Sequence, residues 1–178
     1  MVKQFTDWAA ERGWNIKKRD GDMALPEEIA KRYDLPTARM PSGGRPSVQH
    51  GCCANRENAL ESWLEFIRQF SLCANKEFTK WFITFEDFGE EGFRWNEFEQ
   101  ISLEAADDDT EWRKQVTDFW DKHLPVFMSV EGEYEYYAVN VESGQVVFGF
   151  EPEFEEPETA ADSFEDFIGK IVTGEIIL

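Results

Sequence analysis

The sequence predicts an α+β fold in which an antiparallel sheet of about four to six strands is wrapped by helices. Residues 126–130, 134–141 and 146–150 have the apolar and β-branched character of strands, and short polar turns join them. Connections this short join antiparallel strands. The segment that follows repeats apolar residues at helical spacing, which predicts a helix packed on the sheet.

The second of these strands, residues 134–141, carries bulky side chains on both faces. Because side chains alternate along a strand, Tyr137 and Val139 fall on one face and Tyr136 and Ala138 on the other. A strand that is bulky on both faces is typical of the centre of a sheet. We therefore expect this strand to be covered on both sides.

An acidic segment, Glu151–Glu158, separates the third strand from the last helix. Its two prolines and five glutamates predict a loop. Asp162 is expected to cap the following helix, with Glu165 completing a capping box. The apolar face of that helix, which we expect to pack on the hairpin, contains Phe164, Phe167, Ile168, Ile171 and Val172.

Upstream, the pattern predicts four more helices and one more strand. An aspartate triplet before one helix fits capping by Asp108 better than calcium binding, because the alternating ligands of a calcium loop are absent. Residues 95–106 show no clear period, and Lys17–Arg19 are expected to form a solvated turn. The predicted helices are residues 2–13, 25–33, 57–70 and the segment after Asp109, and the strand is residues 79–85. The apolar face expected for the helix after Asp109 contains Trp112, Val116, Phe119 and Trp120.

Residues 38–55 are rich in glycine and proline and are expected to form an exposed loop or an insertion. His50, Cys52 and Cys53 lie in this loop, and Cys73 follows later. One histidine and three cysteines could bind zinc, but adjacent Cys52 and Cys53 do not have the usual spacing of zinc ligands. We expect free thiols, no cofactor, and a cytoplasmic protein without a leader peptide or a membrane span.

The charge of the chain limits its partners. The net charge is −19 over 178 residues, and residues 51–178 hold 30 acidic residues against 9 basic ones. Such a field repels nucleic acid and attracts basic proteins, although a solvated acidic surface would also account for it. The chain has two histidines and no recognisable catalytic motif, and His123 at a predicted helix end suits the helix dipole. We expect a protein that is not an enzyme.

Several segments together resemble a known family. They are Leu25-Pro26, Trp81-Phe82-Ile83, Tyr136–Asn140, Gly144–Val147 and, most specifically, Ala161–Ile168 with its Ala-Asp-Ser-Phe start. In these segments the chain resembles the SUKH superfamily, bacterial relatives of a fungal regulator of cell-wall synthesis. The resemblance covers roughly residues 25–172 of one expected domain, 1–178.

The resemblance implies an α+β fold and a role as an immunity protein that binds a polymorphic toxin, such as a basic nuclease. It implies no catalytic residue. Independently, the acidic loop offers charges for steering and an aromatic ring for anchoring, so the candidate partner-binding residues are Glu151, Glu153, Phe154, Glu155 and Glu156. An ordinary solvated loop, a small-molecule-binding or regulatory domain, and a metal or cysteine enzyme remain alternatives.

Overall fold

Seven strands, each paired antiparallel with the next along the chain, form one sheet in the computed structural model, which describes residues 1–21, 23–35, 54–89 and 93–178. The α+β class with an antiparallel sheet is thereby confirmed, with one strand more than the expected upper number. The strands are β1 (Asn15–Lys18), β2 (Phe70–Ala74), β3 (Lys80–Phe82), β4 (His123–Ser129), β5 (Glu135–Asn140), β6 (Val146–Phe150) and β7 (Glu158–Ala161).

Six α-helices lie on the two faces of this sheet in the described residues. Their bounds are α1 (Val2–Glu11), α2 (Glu27–Arg32), α3 (Ala54–Ile67), α4 (Glu97–Ala105), α5 (Thr110–Trp120) and α6 (Phe164–Thr173). No helix in the described part of the chain combines the length and the apolar character needed to cross a membrane.

One face of the sheet packs against α1, α3 and α6. Phe82, Phe127 and Tyr137 are in register on β3, β4 and β5 and point to this face. The ring of Phe167 from α6 lies over Tyr137 at 4.7 Å between centroids, and Phe5 from α1 lies 5.1 Å from Phe82. The predicted apolar face of α6 is thus buried, against α1 and α3 as well as the sheet.

The opposite face is covered by α4 and α5. Tyr136 of β5 is fully buried there, with its ring 5.0 Å from Trp120 and 6.0 Å from Phe98. Gly149 lies opposite Tyr136 on β6, and the space that its missing side chain leaves is occupied by the tyrosine ring. The prediction of a central strand covered on both sides is therefore confirmed.

Both predicted helix caps lie one residue too early in the sequence. Ser163, and not Asp162, caps α6 by accepting a hydrogen bond from the backbone N–H of Asp166. Asp109, and not Asp108, caps α5, because its carboxylate is the one that reaches the N–H groups of Glu111 and Trp112. In each case the capping oxygen belongs to the residue directly before the first helical one.

Three predicted boundaries also differ from the structure. The helix expected over 57–70 is α3, which ends at Ile67, and Phe70 begins β2 instead. The strand expected over 79–85 ends at Phe82, because Thr84 and Asp87 form a capping box that starts a 3-10 turn. Lys17 and Lys18 belong to β1 rather than to a turn, since their backbone pairs with β2.

Most of the loop expected over 38–55 lies outside the described residues, together with His50, Cys52 and Cys53. Ala54 and Asn55, which were included in that loop, begin α3. The core extends beyond the range of the family resemblance, because Phe5 and Trp8 of α1 are buried in it.

A buried ion pair joins α2 to α4. Arg32 donates two hydrogen bonds to the carboxylate of Glu99, at 2.8 and 2.7 Å, and a third from Nε to Asp121 at 2.9 Å. Burial opposes the charge on Arg32 and is the largest single influence on it, but the hydrogen bonds to Glu99 and the charges of Glu99 and Asp121 together raise the pKa of the guanidinium. Glu99 is itself buried, so the inner face of α4 is partly polar, which explains the unclear period of residues 95–106.

Candidate functional site

A groove of about 840 Å³ runs between α5 and the loop that joins β6 to β7. We call it the α5 groove. Residues of α5 form one wall and the floor, and residues of the acidic loop form the other wall. The lining includes Trp112, Val116 and Phe119 from the helix and Glu153, Glu155 and Glu156 from the loop.

The helix side of the α5 groove is the predicted apolar face of α5. Val116 is fully buried and Phe119 is half-buried, but the side chain of Trp112 is 43 % exposed. Trp112 was expected to be buried with the others at helical spacing. This expectation is wrong because Trp112 lies in the first turn, where in the described residues its ring has no covering element.

The loop side is fixed in place by Phe154. Its ring is only 2 % exposed and stacks on Phe98 of α4, with centroids 4.9 Å apart and planes 18° apart. Its carbonyl oxygen accepts a hydrogen bond from the hydroxyl of Tyr136. The expectation that Phe154 anchors a partner is therefore wrong: the ring belongs to the core, and its burial holds the glutamates around it at the surface.

Of the four glutamates predicted to bind a partner, three line the α5 groove. Glu153 and Glu156 are exposed, and Glu155 is half-buried and accepts a hydrogen bond from Trp120 Nε1 at 2.8 Å. Glu151 is exposed at the end of β6 but does not line the groove. The structure therefore brings Glu153, Glu155 and Glu156 into the lining of one groove together with Trp112.

The electrostatic balance of the α5 groove is negative. Asp118 and Asp121 add two carboxylates to those of the loop, and Lys122 is the single basic residue among the lining ones. Asp121 is paired with Arg32. Glu153 and Glu156, in contrast, have no side-chain hydrogen bond or ion pair to any other described residue. Their charges are thus available to a ligand.

His123 supports the floor of the α5 groove from below. Its ring stacks on Phe119 at 4.0 Å, Nδ1 lies 2.8 Å from the Phe119 carbonyl oxygen, and Nε2 lies 3.0 Å from Asn140 Nδ2. An imidazole that donates from Nδ1 and accepts at Nε2 is neutral. Burial lowers the pKa of His123, and the adjacent Lys122 also opposes its charge. His123 is the first residue of β4 rather than the end of a helix, and it fixes Phe119.

This arrangement predicts a loss of stability in mild acid. Because the pKa of His123 is lowered from 6.5 in the folded protein, the unfolded chain binds the proton more readily. The free energy of unfolding should therefore fall as the pH decreases below about 6.5. Urea unfolding between about pH 7.5 and pH 5 measures this dependence. In His123→Gln, which keeps a donor and an acceptor, the free energy of unfolding should depend less steeply on pH. An unchanged dependence would show that other groups cause the loss of stability in acid.

The described residues contain no group of three or more histidine, cysteine or acidic side chains arranged to hold a metal ion. Cys73 is buried within the core, and burial raises the pKa of its thiol well above its usual range. Such a thiol is a poor nucleophile, because the reactive form is the thiolate.

Comparison with known proteins returned no matching protein-family model, no matching curated protein and no matching solved structure. The function is therefore argued from the geometry of the α5 groove. The sequence predicted the acidic side of the groove but placed Trp112 in the core, although its position in the first turn of α5, among polar neighbours, could have indicated an exposed ring.

Proposed function

We propose that this protein is a non-enzymatic protein-binding module of the SUKH type, acting as an immunity protein that neutralises a basic bacterial toxin. The observation that carries the proposal is the α5 groove, whose lining combines the exposed ring of Trp112 with the carboxylates of Glu153 and Glu156, which have no side-chain partner among the described residues. Interfaces combine such features, because charges steer the encounter and a buried tryptophan supplies much of the binding energy.

The chemistry of the groove favours a basic protein over other classes of ligand. A nucleic acid would meet a surface of its own charge sign. A nuclease toxin, in contrast, carries a positive surface that recognises phosphates, and an acidic protein can cover that surface. The formal net charge of −19 would also accelerate association with such a partner at low ionic strength.

One observation favours a second candidate function. The α5 groove, at about 840 Å³, has the size of a small-molecule site. A regulatory domain that binds a cationic metabolite would use the same carboxylates. It would differ from an immunity protein in binding without a protein partner.

The test begins with recovery of the partner from the organism that encodes this chain, followed by binding measurements with the purified components. We expect a toxin to be captured and its activity to be inhibited at equimolar concentration. The association rate constant should fall at least about tenfold between roughly 50 and 500 mM NaCl. Capture of no toxin, together with no binding to basic nuclease toxins at low salt, would refute the immunity function.

A further inference from the structure

We infer that the α5 groove binds a short extended segment of a protein partner that alternates basic and apolar residues, with one arginine stacked on Trp112. This inference rests on the proposed function, since it states which part of a partner this chain would recognise. The expected ligand is a basic peptide segment because the lining of the groove is negatively charged.

The dimensions of the groove favour an extended segment. Its helix wall runs from Trp112 to Lys122, which is about 15 Å at the rise of an α-helix. An extended chain covers that length with about five residues.

The two ends and the middle of the groove differ in chemistry. Trp112 offers an exposed indole face at one end, and Glu153 and Glu156 offer unpaired carboxylates on the facing wall. A guanidinium stacks on an aromatic ring and also pairs with carboxylates, so an arginine side chain satisfies both walls. Val116 and Phe119 form an apolar floor between the ends, which suits an apolar side chain. A segment that alternates basic and apolar residues can therefore place an arginine at the end with Trp112 and an apolar side chain on the floor.

A positive charge at one end of the groove limits which basic segments it can bind. Lys122 stands at the end opposite to Trp112. A second cation at that end would meet a like charge, and Asp118 on the same wall is already paired with Lys114. We therefore expect the residue nearest Trp112 to contribute most of the affinity.

The test uses a synthetic peptide with the sequence Arg-Val-Arg-Val-Arg, blocked at both ends, and follows the indole N–H signal of Trp112 by NMR. Trp112→Ala should weaken binding about tenfold, as removal of a central aromatic anchor does. The double variant Glu153→Gln/Glu156→Gln should weaken binding about fivefold at low salt. A peptide with glutamate in place of arginine should not bind.

Two control variants match these changes elsewhere on the surface. Phe78→Ala removes an aromatic side chain that is 58 % exposed in the turn between β2 and β3. Glu61→Gln/Glu65→Gln changes the net charge equally, on exposed positions of α3 across the sheet. Both should bind the peptide as the parent protein does. The inference is overturned if the controls weaken binding as much as the groove variants, or if spermidine binds more tightly than the peptide.

The same four variants, measured against the toxin, separate this inference from the proposed function. Toxin binding that is unaffected by the groove variants would overturn the inference and leave the immunity function standing. Peptide binding that depends on Trp112, in a protein that binds no toxin, would refute the immunity function and leave the recognition of basic segments standing.

Discussion

Gly149→Ala should lower the free energy of unfolding by about 1–3 kcal/mol, the range for an added methyl group in a well-packed core. A Cβ atom at Gly149 would lie 2.5 Å from the ring and hydroxyl atoms of Tyr136. That ring cannot move aside freely, because Trp120 and Phe98 pack against it and its hydroxyl is bonded to the Phe154 carbonyl. Urea unfolding of the variant measures the effect.

A second glycine-to-alanine substitution should change the free energy of unfolding in the opposite direction. Gly169 lies in α6, is exposed, and has no atom within 4 Å of where its Cβ would stand. Gly169→Ala should therefore stabilise the protein by about 0.5–1 kcal/mol, because alanine restricts the unfolded chain and favours a helix. If both variants destabilised the protein, the contact with Tyr136 would not be the cause.

A double variant identifies that cause directly. Tyr136→Leu removes the ring that a methyl group at position 149 would meet. In the Tyr136→Leu background, Gly149→Ala should cost well under about 1 kcal/mol, which gives a large coupling energy between the two positions. Equal costs in the two backgrounds would contradict the predicted contact.

Arg32→Met should lower the free energy of unfolding by about 3 kcal/mol, because it leaves the carboxylate of Glu99 buried without its partner. The side chain of Glu99 is 6 % exposed and both of its oxygens accept from Arg32. Chemical unfolding at neutral pH measures this effect.

Two further variants control for this interpretation. Arg32→Met/Glu99→Leu removes both charges and should recover most of the lost stability, since apolar replacements can match a buried ion pair. Lys114→Met breaks the exposed pair with Asp118 on α5 and should have no measurable effect. A double variant as unstable as Arg32→Met would show that packing of the long side chain, and not the unpaired charge, is responsible.

The parts of the fold that could be predicted are those in which side-chain pattern and burial agree. The strand over 146–150 was predicted at its observed bounds, and four of the five residues predicted for the apolar face of α6 are buried, with Val172 half-buried. In these elements, each apolar side chain meets a neighbour across the sheet or on a facing helix. The spacing of apolar residues along the chain therefore agrees with their burial in the folded protein.

Other elements depend on distant residues and could not be predicted. The strands β1 and β7 are short and partly polar, so their backbone pairing, and not their side chains, defines them. The inner face of α4 includes Glu99, which can be buried only because Arg32 approaches from α2. The burial of Phe154 likewise depends on Phe98, which is remote in sequence.

The sheet remains open, and its two outer strands have side chains of opposite charge. Lys17 and Lys18 are exposed on β1, whereas Glu158 is exposed on β7. Two copies that approach each other through the same outer strand therefore meet like charges, a device that discourages aggregation by strand addition. On β7, Lys170 additionally donates to the carbonyl oxygen of Ala160, so that acceptor is already engaged. The charges in this way oppose pairing between identical outer strands of two copies.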